Sequence, residues 1–144
     1  MDLIGFFVRP ALSWIFVQGG LDSIRTPEPR AKAAATTMAR LRSAAPATMQ
    51  SGLPNDVVLV QINAAVQVAA GVALATGYAP RIAALILAGS LAPTTIGGHG
   101  FWRFDDPAQR GPQQIQFAKN TAIFGGLLLA ATRRRPAREV ITGP

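Results

Sequence analysis

The chain has no cysteine and a single histidine, His99, among its 144 residues. Without cysteine, disulfides, thiol redox chemistry and cysteine-ligated metals are all excluded. One imidazole cannot build a His-rich metal site, and His99 with Asp105 and Asp106 falls short of a specific ligand set, so no metal is expected. Charge is also scarce: 15% of the residues are ionised, seven of them acidic, where a soluble domain carries roughly a quarter. No Gly-rich phosphate loop follows a strand, no nucleophile elbow occurs and no HExxH is present. These absences leave no residue to assign as catalytic. The chain is therefore not expected to be an enzyme on its own, and any electron chemistry needs an external cofactor.

What fills the space instead is apolar: 49% of the residues are hydrophobic, concentrated in four stretches at 3–21, 57–77, 82–96 and 115–132. A bilayer core about 30 Å thick takes roughly 20 helical residues to cross. The second stretch meets this with no charge. The first contains Arg9, the fourth contains Lys119, and the third reaches spanning length only with its flanks, at about 80–97. Acidic Asp2 and the placement of Arg9 within the apolar run argue against a cleaved signal peptide, so the first stretch is expected to stay as a helix. The fold expected is all-α, a single domain over 1–144 forming an integral membrane four-helix bundle. The net charge of +7 does not point to nucleic acid, because no soluble domain exists to gather a basic face. Membrane lipids are the expected counter-ions.

The polar segment 22–56 opens with Thr26-Pro27-Glu28-Pro29 and closes with Ser51-Gly52-Leu53-Pro54-Asn55. Between these breakers, 30–45 reads as an additional amphipathic helix. Ala31, Ala34, Met38, Leu41 and Ala45 fall on one side, Lys32 and Arg40 opposite, with Arg30 and Arg42 flanking. Such a helix suits the headgroup plane; an Ala-rich solvated linker is the competing reading. Spans two and three are joined only by Tyr78-Ala79-Pro80-Arg81, which demands a tight antiparallel hairpin with Pro80 at the start of the next helix. Span three is expected to break at Pro93, with Gly97 and Gly98 opposing any continuation and Phe101 and Trp102 suiting an interfacial belt. A turn-rich loop is expected over 103–114. The tail Arg133-Arg134-Arg135-Pro136 marks a cytoplasmic side, although Arg25, Arg30, Lys32, Arg40 and Arg42 pull the other way. Cytoplasmic termini in an inner membrane are the expectation adopted.

Ionisable groups at membrane depth default to a functional hypothesis, which singles out Arg9 and Lys119, each with snorkelling to the headgroups as the alternative. In span two, Asn63 and Gln67 share a helix face continued by Gly71 and Ala75; in span four, Gln116 and Asn120 repeat the spacing beside Gly125-Gly126. Amides and small residues on one face serve helix association in lipid, and facing amides would line a polar pocket. His99 beside Trp102 suits a hydrogen bond to a quinone or headgroup, or simple anchoring. The candidate ligand-binding set is thus Arg9, Asn63, Gln67, His99, Trp102, Lys119 and Asn120. No cofactor is firmly implied; a quinone or a bound lipid is the class these residues suit.

Four segments in order, RPALSWIFVQGGLDSI from Arg9, VQVAAGVALATGYAPRIAALIL from Val66, His99-Gly100-Phe101-Trp102 and FAKNTAIFGGLLLA from Phe117, resemble the successive signatures of the DoxX family of small four-helix bacterial membrane proteins. By position the matching residues include Arg9, Gly19, Gly20, Gln67, Gly71, Gly77, Pro80, Arg81, His99, Trp102, Lys119, Asn120, Gly125 and Gly126. The resemblance implies a membrane subunit or scaffold of a redox or oxidative-stress complex, akin to the small subunits of thiosulfate:quinone oxidoreductase, acting with protein partners or as a homo-oligomer. A quinone- or lipid-binding subunit is the alternative, and a small transporter a weaker one.

Overall fold

The computed structural model describes residues 3–50 and 52–132, and the regular structure among them is entirely helical. In chain order the helices are α1 (Leu3–Arg25), α2 (Pro27–Ala44), the single turn α3 (Ala47–Gln50), α4 (Asp56–Thr76), α5 (Pro80–Gly98) and α6 (Pro107–Thr132), with a 3₁₀ turn at Phe101–Arg103 before α6. The basic tail beginning at Arg133 lies outside the described residues.

Local chemistry explains where these helices start and stop. Asn55 caps α4 by accepting the Val58 N–H at 2.9 Å, and Asp56 adds a negative charge to the first turn. Gly77 ends α4 in the left-handed region at φ 74°, a conformation glycine adopts without penalty. Ala79 is also left-handed at φ 44°, and Pro80 then opens α5, so the hairpin is as tight as expected.

Two expectations are overturned. Helix α5 does not break at Pro93 but runs on to Gly98. The ring of a helical proline is directed at the carbonyl four residues back, here that of Gly89, and the hydroxyls of Thr94 and Thr95 donate to the Ser90 and Leu91 carbonyls at 2.9 and 2.8 Å, adding bonds where the ladder is interrupted. Helix α6 begins at Pro107 rather than 115, replacing most of the expected loop. Asp106 accepts the Ala108 N–H at 2.9 Å and Pro107 takes the position where its missing N–H costs nothing, so the helix is already established when it meets Gly111 and Pro112.

Helix α1 packs most extensively on α4, α4 on α5 and α5 on α6, while α1 touches α6 lightly where Leu12 meets Gly126. Helices α4 and α6 make no substantial contact. The α1–α4 crossing is close because small residues meet there: a Cβ on Gly20 would lie 2.8 Å from the Ala64 carbonyl oxygen, and one on Gly71 would lie 2.7 Å from a Val17 methyl. Phe16, Leu74, Leu87 and Leu127, one from each long helix, meet in the buried core among the alanines of α4 and α5. Outside it, Phe7, Trp14, Ile62, Val72, Ile82, Leu85, Ile115 and Leu129 are exposed, far more apolar surface than a water-soluble exterior tolerates. By length and hydropathy, Asp56–Thr76 and Pro80–Arg103 qualify as membrane-crossing segments among the described residues.

Helix α2 lies against α4 and α5. Ala31 and Thr37 are buried, Ala34, Met38 and Ala45 are half-buried, and Lys32 and Arg40 are exposed. The expected apolar stripe therefore faces protein; the Leu41 side chain lies outside the described part.

Candidate functional site

A pocket of about 320 Å³ lies between α2, α4 and α5, with Ala45 and Leu53 from the connection after α2 also in its lining. Met38, Leu53, Leu59 and Pro93 supply apolar wall; Asn63 and Ser90 supply the polar end. The tight hairpin sets the register that brings α4 and α5 side by side, and Ser90 is thereby placed between two amides of α4. Gln67 Nε2 donates to Ser90 Oγ at 2.8 Å, and Ser90 Oγ donates to Asn63 Oδ1 at 2.7 Å. A hydroxyl carries one proton, so once Ser90 gives it to Asn63 it can only accept from Gln67. The chain Gln67→Ser90→Asn63 has one direction, and it leaves the Asn63 amide N–H groups uncommitted.

Arg42, from the last turn of α2, is the one ionisable residue in the pocket wall among the described residues. Its Nε and Nη2 donate to Asp56 Oδ1 at 3.1 and 2.8 Å, and Nη2 also donates to the Pro54 carbonyl. This clasp ties the end of α2 to the start of α4. Both side chains are about a third exposed, at 31% and 36%, so the pair contributes on the order of 1 kcal/mol or less to stability.

The candidate residues fall in four places. Asn63 lines the pocket and Gln67 supports it through Ser90. His99 sits at the C-terminal end of α5, where its Nδ1 lies at hydrogen-bond distance, 2.8 Å, from Gln113 Oε1. Trp102 stacks edge-on with Phe101 and Phe117, at centroid distances of 5.2 and 5.6 Å, with the Arg103 guanidinium 6.0 Å from its ring. Arg103 itself donates to the Ile96 and Gly97 carbonyls at 2.8 Å each, a cationic cap on the negative end of α5. Arg9 lies across the molecule against Gly77, its Nη1 3.0 Å from where a Cβ there would be, at the C-terminal end of α4. Asn120 is buried and Lys119 exposed on α6, Lys119 lying twelve residues past the helix start at Pro107. The amides of α4 and α6 do not face one another, and the expected polar pocket between spans two and four is replaced by the α4–α5 arrangement.

Arg42, Ser90 and Gln113 were not among the expected site residues. Ser90 is one hydroxyl in an apolar run and Gln113 stood in an expected loop; the signal for Arg42 was its position flanking the apolar stripe of 30–45.

Two helices long and apolar enough to cross a bilayer, with large apolar side chains exposed on α1, α4, α5 and α6, point to a membrane protein that is helical throughout its described regular structure. The chain belongs to the DoxX family, whose model matches residues 4–100, α1 to α5, and stops before α6. Neither the curated proteins nor the solved structures contain a significant match to it.

Proposed function

We propose that this chain is a multi-pass inner-membrane subunit that holds a lipophilic molecule, a quinone or a lipid, for partner proteins that carry out the chemistry. The α2/α4/α5 pocket with its Gln67–Ser90–Asn63 relay carries this reading: its lining combines apolar side chains with a few polar groups, as small-molecule sites do. In the same reading α1, α4, α5 and α6 form a four-helix membrane bundle and α2 lies at one interface. Supporting this, the tight hairpin and Arg9 share one end, whereas α2 and the Phe101–Trp102–Phe117 cluster belong to the other, where an aromatic belt suits the headgroup level. The start of α1 and the end of α6 are then on the cytoplasmic, hairpin side.

The redox or oxidative-stress setting rests on the family resemblance. Protein purified in mild detergent and analysed by mass spectrometry is expected to carry a lipophile that Met38→Trp, which fills the pocket, removes. A scaffold that only docks partners is the second reading, which the family resemblance also supports. Recovery of partner proteins together with an empty pocket would select it.

A further inference from the structure

The pocket wall specifies the chemistry of its occupant. Taking as its basis the reading that the pocket holds a lipophile, we infer that the occupant is electrically neutral and presents a carbonyl oxygen, as a quinone ring or the ester of an uncharged lipid does, and that anionic lipids are rejected.

Two observations carry this. The first is the direction of the relay. Ser90 spends its only proton on Asn63 Oδ1, so the polar end of the pocket offers the Asn63 N–H groups, which are donors. A headgroup that accepts a hydrogen bond satisfies them; one that offers only donors leaves them desolvated and unpaired, the costly outcome in a site of low polarity. The second is the state of the only charge. Arg42 is paired with Asp56 through Nε and Nη2, and Nη2 also donates to the Pro54 carbonyl, so among the described residues the one positive charge in the wall is already offset by a carboxylate and offers a phosphate little net attraction. Thr37 and Thr94 complete the polar lining without charge.

The two groups make opposite and separable predictions. Native mass spectrometry of the full chain in neutral detergent would compare three probes: a short-chain benzoquinone, diacylglycerol and phosphatidylglycerol. Wild type is expected to bind one or both neutral probes at least about tenfold more tightly than phosphatidylglycerol. Asn63→Asp keeps the oxygen that accepts from Ser90 but replaces the donor facing the pocket, and is expected to weaken the neutral probe by about five- to tenfold, the worth of one hydrogen bond. Asp56→Asn releases Arg42 and is expected to raise phosphatidylglycerol binding several-fold while the neutral probe is retained. Benzoquinone and diacylglycerol arms tell the two sources of the carbonyl apart.

Preference for phosphatidylglycerol in wild type, or neutral binding indifferent to Asn63→Asp in a variant that elutes as folded protein, overturns the inference and leaves the pocket reading standing. If Asn63→Asp does not fold, Asp56→Asn alone decides, since an unchanged ratio of anionic to neutral binding contradicts the role given to the clasp. Neutral binding that survives Met38→Trp overturns both, because the lipophile is then elsewhere.

Discussion

Thr37 of α2 sits directly on Gly97 of α5, so closely that a Cβ built on the glycine would lie 2.7 Å from the threonine Cβ. This contact seats α2 on α5, while the Arg42–Asp56 clasp further along α2 ties its end to the start of α4.

Gly97→Ala is therefore expected to push α2 away from α5. Forcing a methyl into a filled site costs about 1–3 kcal/mol, read as a lowered melting temperature in detergent. Pairing it with Thr37→Ala is expected to restore only part of the loss, because the residue 37 Cβ remains. Wild-type stability of the single variant would show that α2 does not bear on α5 in the membrane.

The glycines of the α1–α4 crossing should not be equivalent. On Gly20 a Cβ meets the backbone oxygen of Ala64, on Gly71 the end of a Val17 side chain, and on Gly19 nothing within 4 Å. Backbone cannot step aside cheaply, so Gly20→Ala is expected to cost about 1–3 kcal/mol and Gly71→Ala less. Gly19→Ala, gaining helix propensity, is expected to be neutral or stabilising by up to about 1 kcal/mol. Unfolding titrations in mixed micelles give the order directly; Gly20 and Gly19 behaving alike would contradict the register.

Ser90→Ala removes the centre of the relay and leaves Gln67 Nε2 and Asn63 Oδ1 without their partner. Polar contacts between helices in lipid average about 0.6 kcal/mol and reach roughly 1.7, so a loss of about 1 kcal/mol is expected. Ser90→Thr, which retains the hydroxyl, should lose less if its methyl is accommodated. Equal losses would mean that packing, not hydrogen bonding, matters at this position.

Arg42→Gln opens the clasp to Asp56 and Pro54. Because the pair is a third exposed, global stability should fall by less than about 1 kcal/mol, but the connection 45–55 should become more accessible. Limited proteolysis tests this: faster cleavage between α2 and α4, with the helices intact, is the expected pattern.

Much of the helical layout was legible because its signals are local. The uncharged run of α4, the breakers at Pro27 and Pro54-Asn55, and the Tyr78-Ala79-Pro80 hairpin each act within a few residues. The misreadings share a cause. Pro93, Gly111 and Pro112 are breakers by propensity, yet each lies inside a helix established on both sides of it, and the surrounding helix overrides the local cost. The Asp106-Pro107 start of α6 was a readable cap that the following Gly111-Pro112 obscured.

The site was legible only as an inventory. Residues four apart on a helix advance by about 40° around the axis, so the stripe Asn63, Gln67, Gly71 winds away from α5 and reaches α1: the amides pair with Ser90, while Gly71 meets Val17. By itself, the sequence determined that this chain belongs in a membrane as helices and that it holds no cysteine and a single histidine, because composition and hydropathy are properties of residues. Which amide meets which hydroxyl, and that Arg42 reaches Asp56 fourteen residues away, only the tertiary structure decided, because those depend on which helices the hairpin and the close α1–α4 crossing bring together.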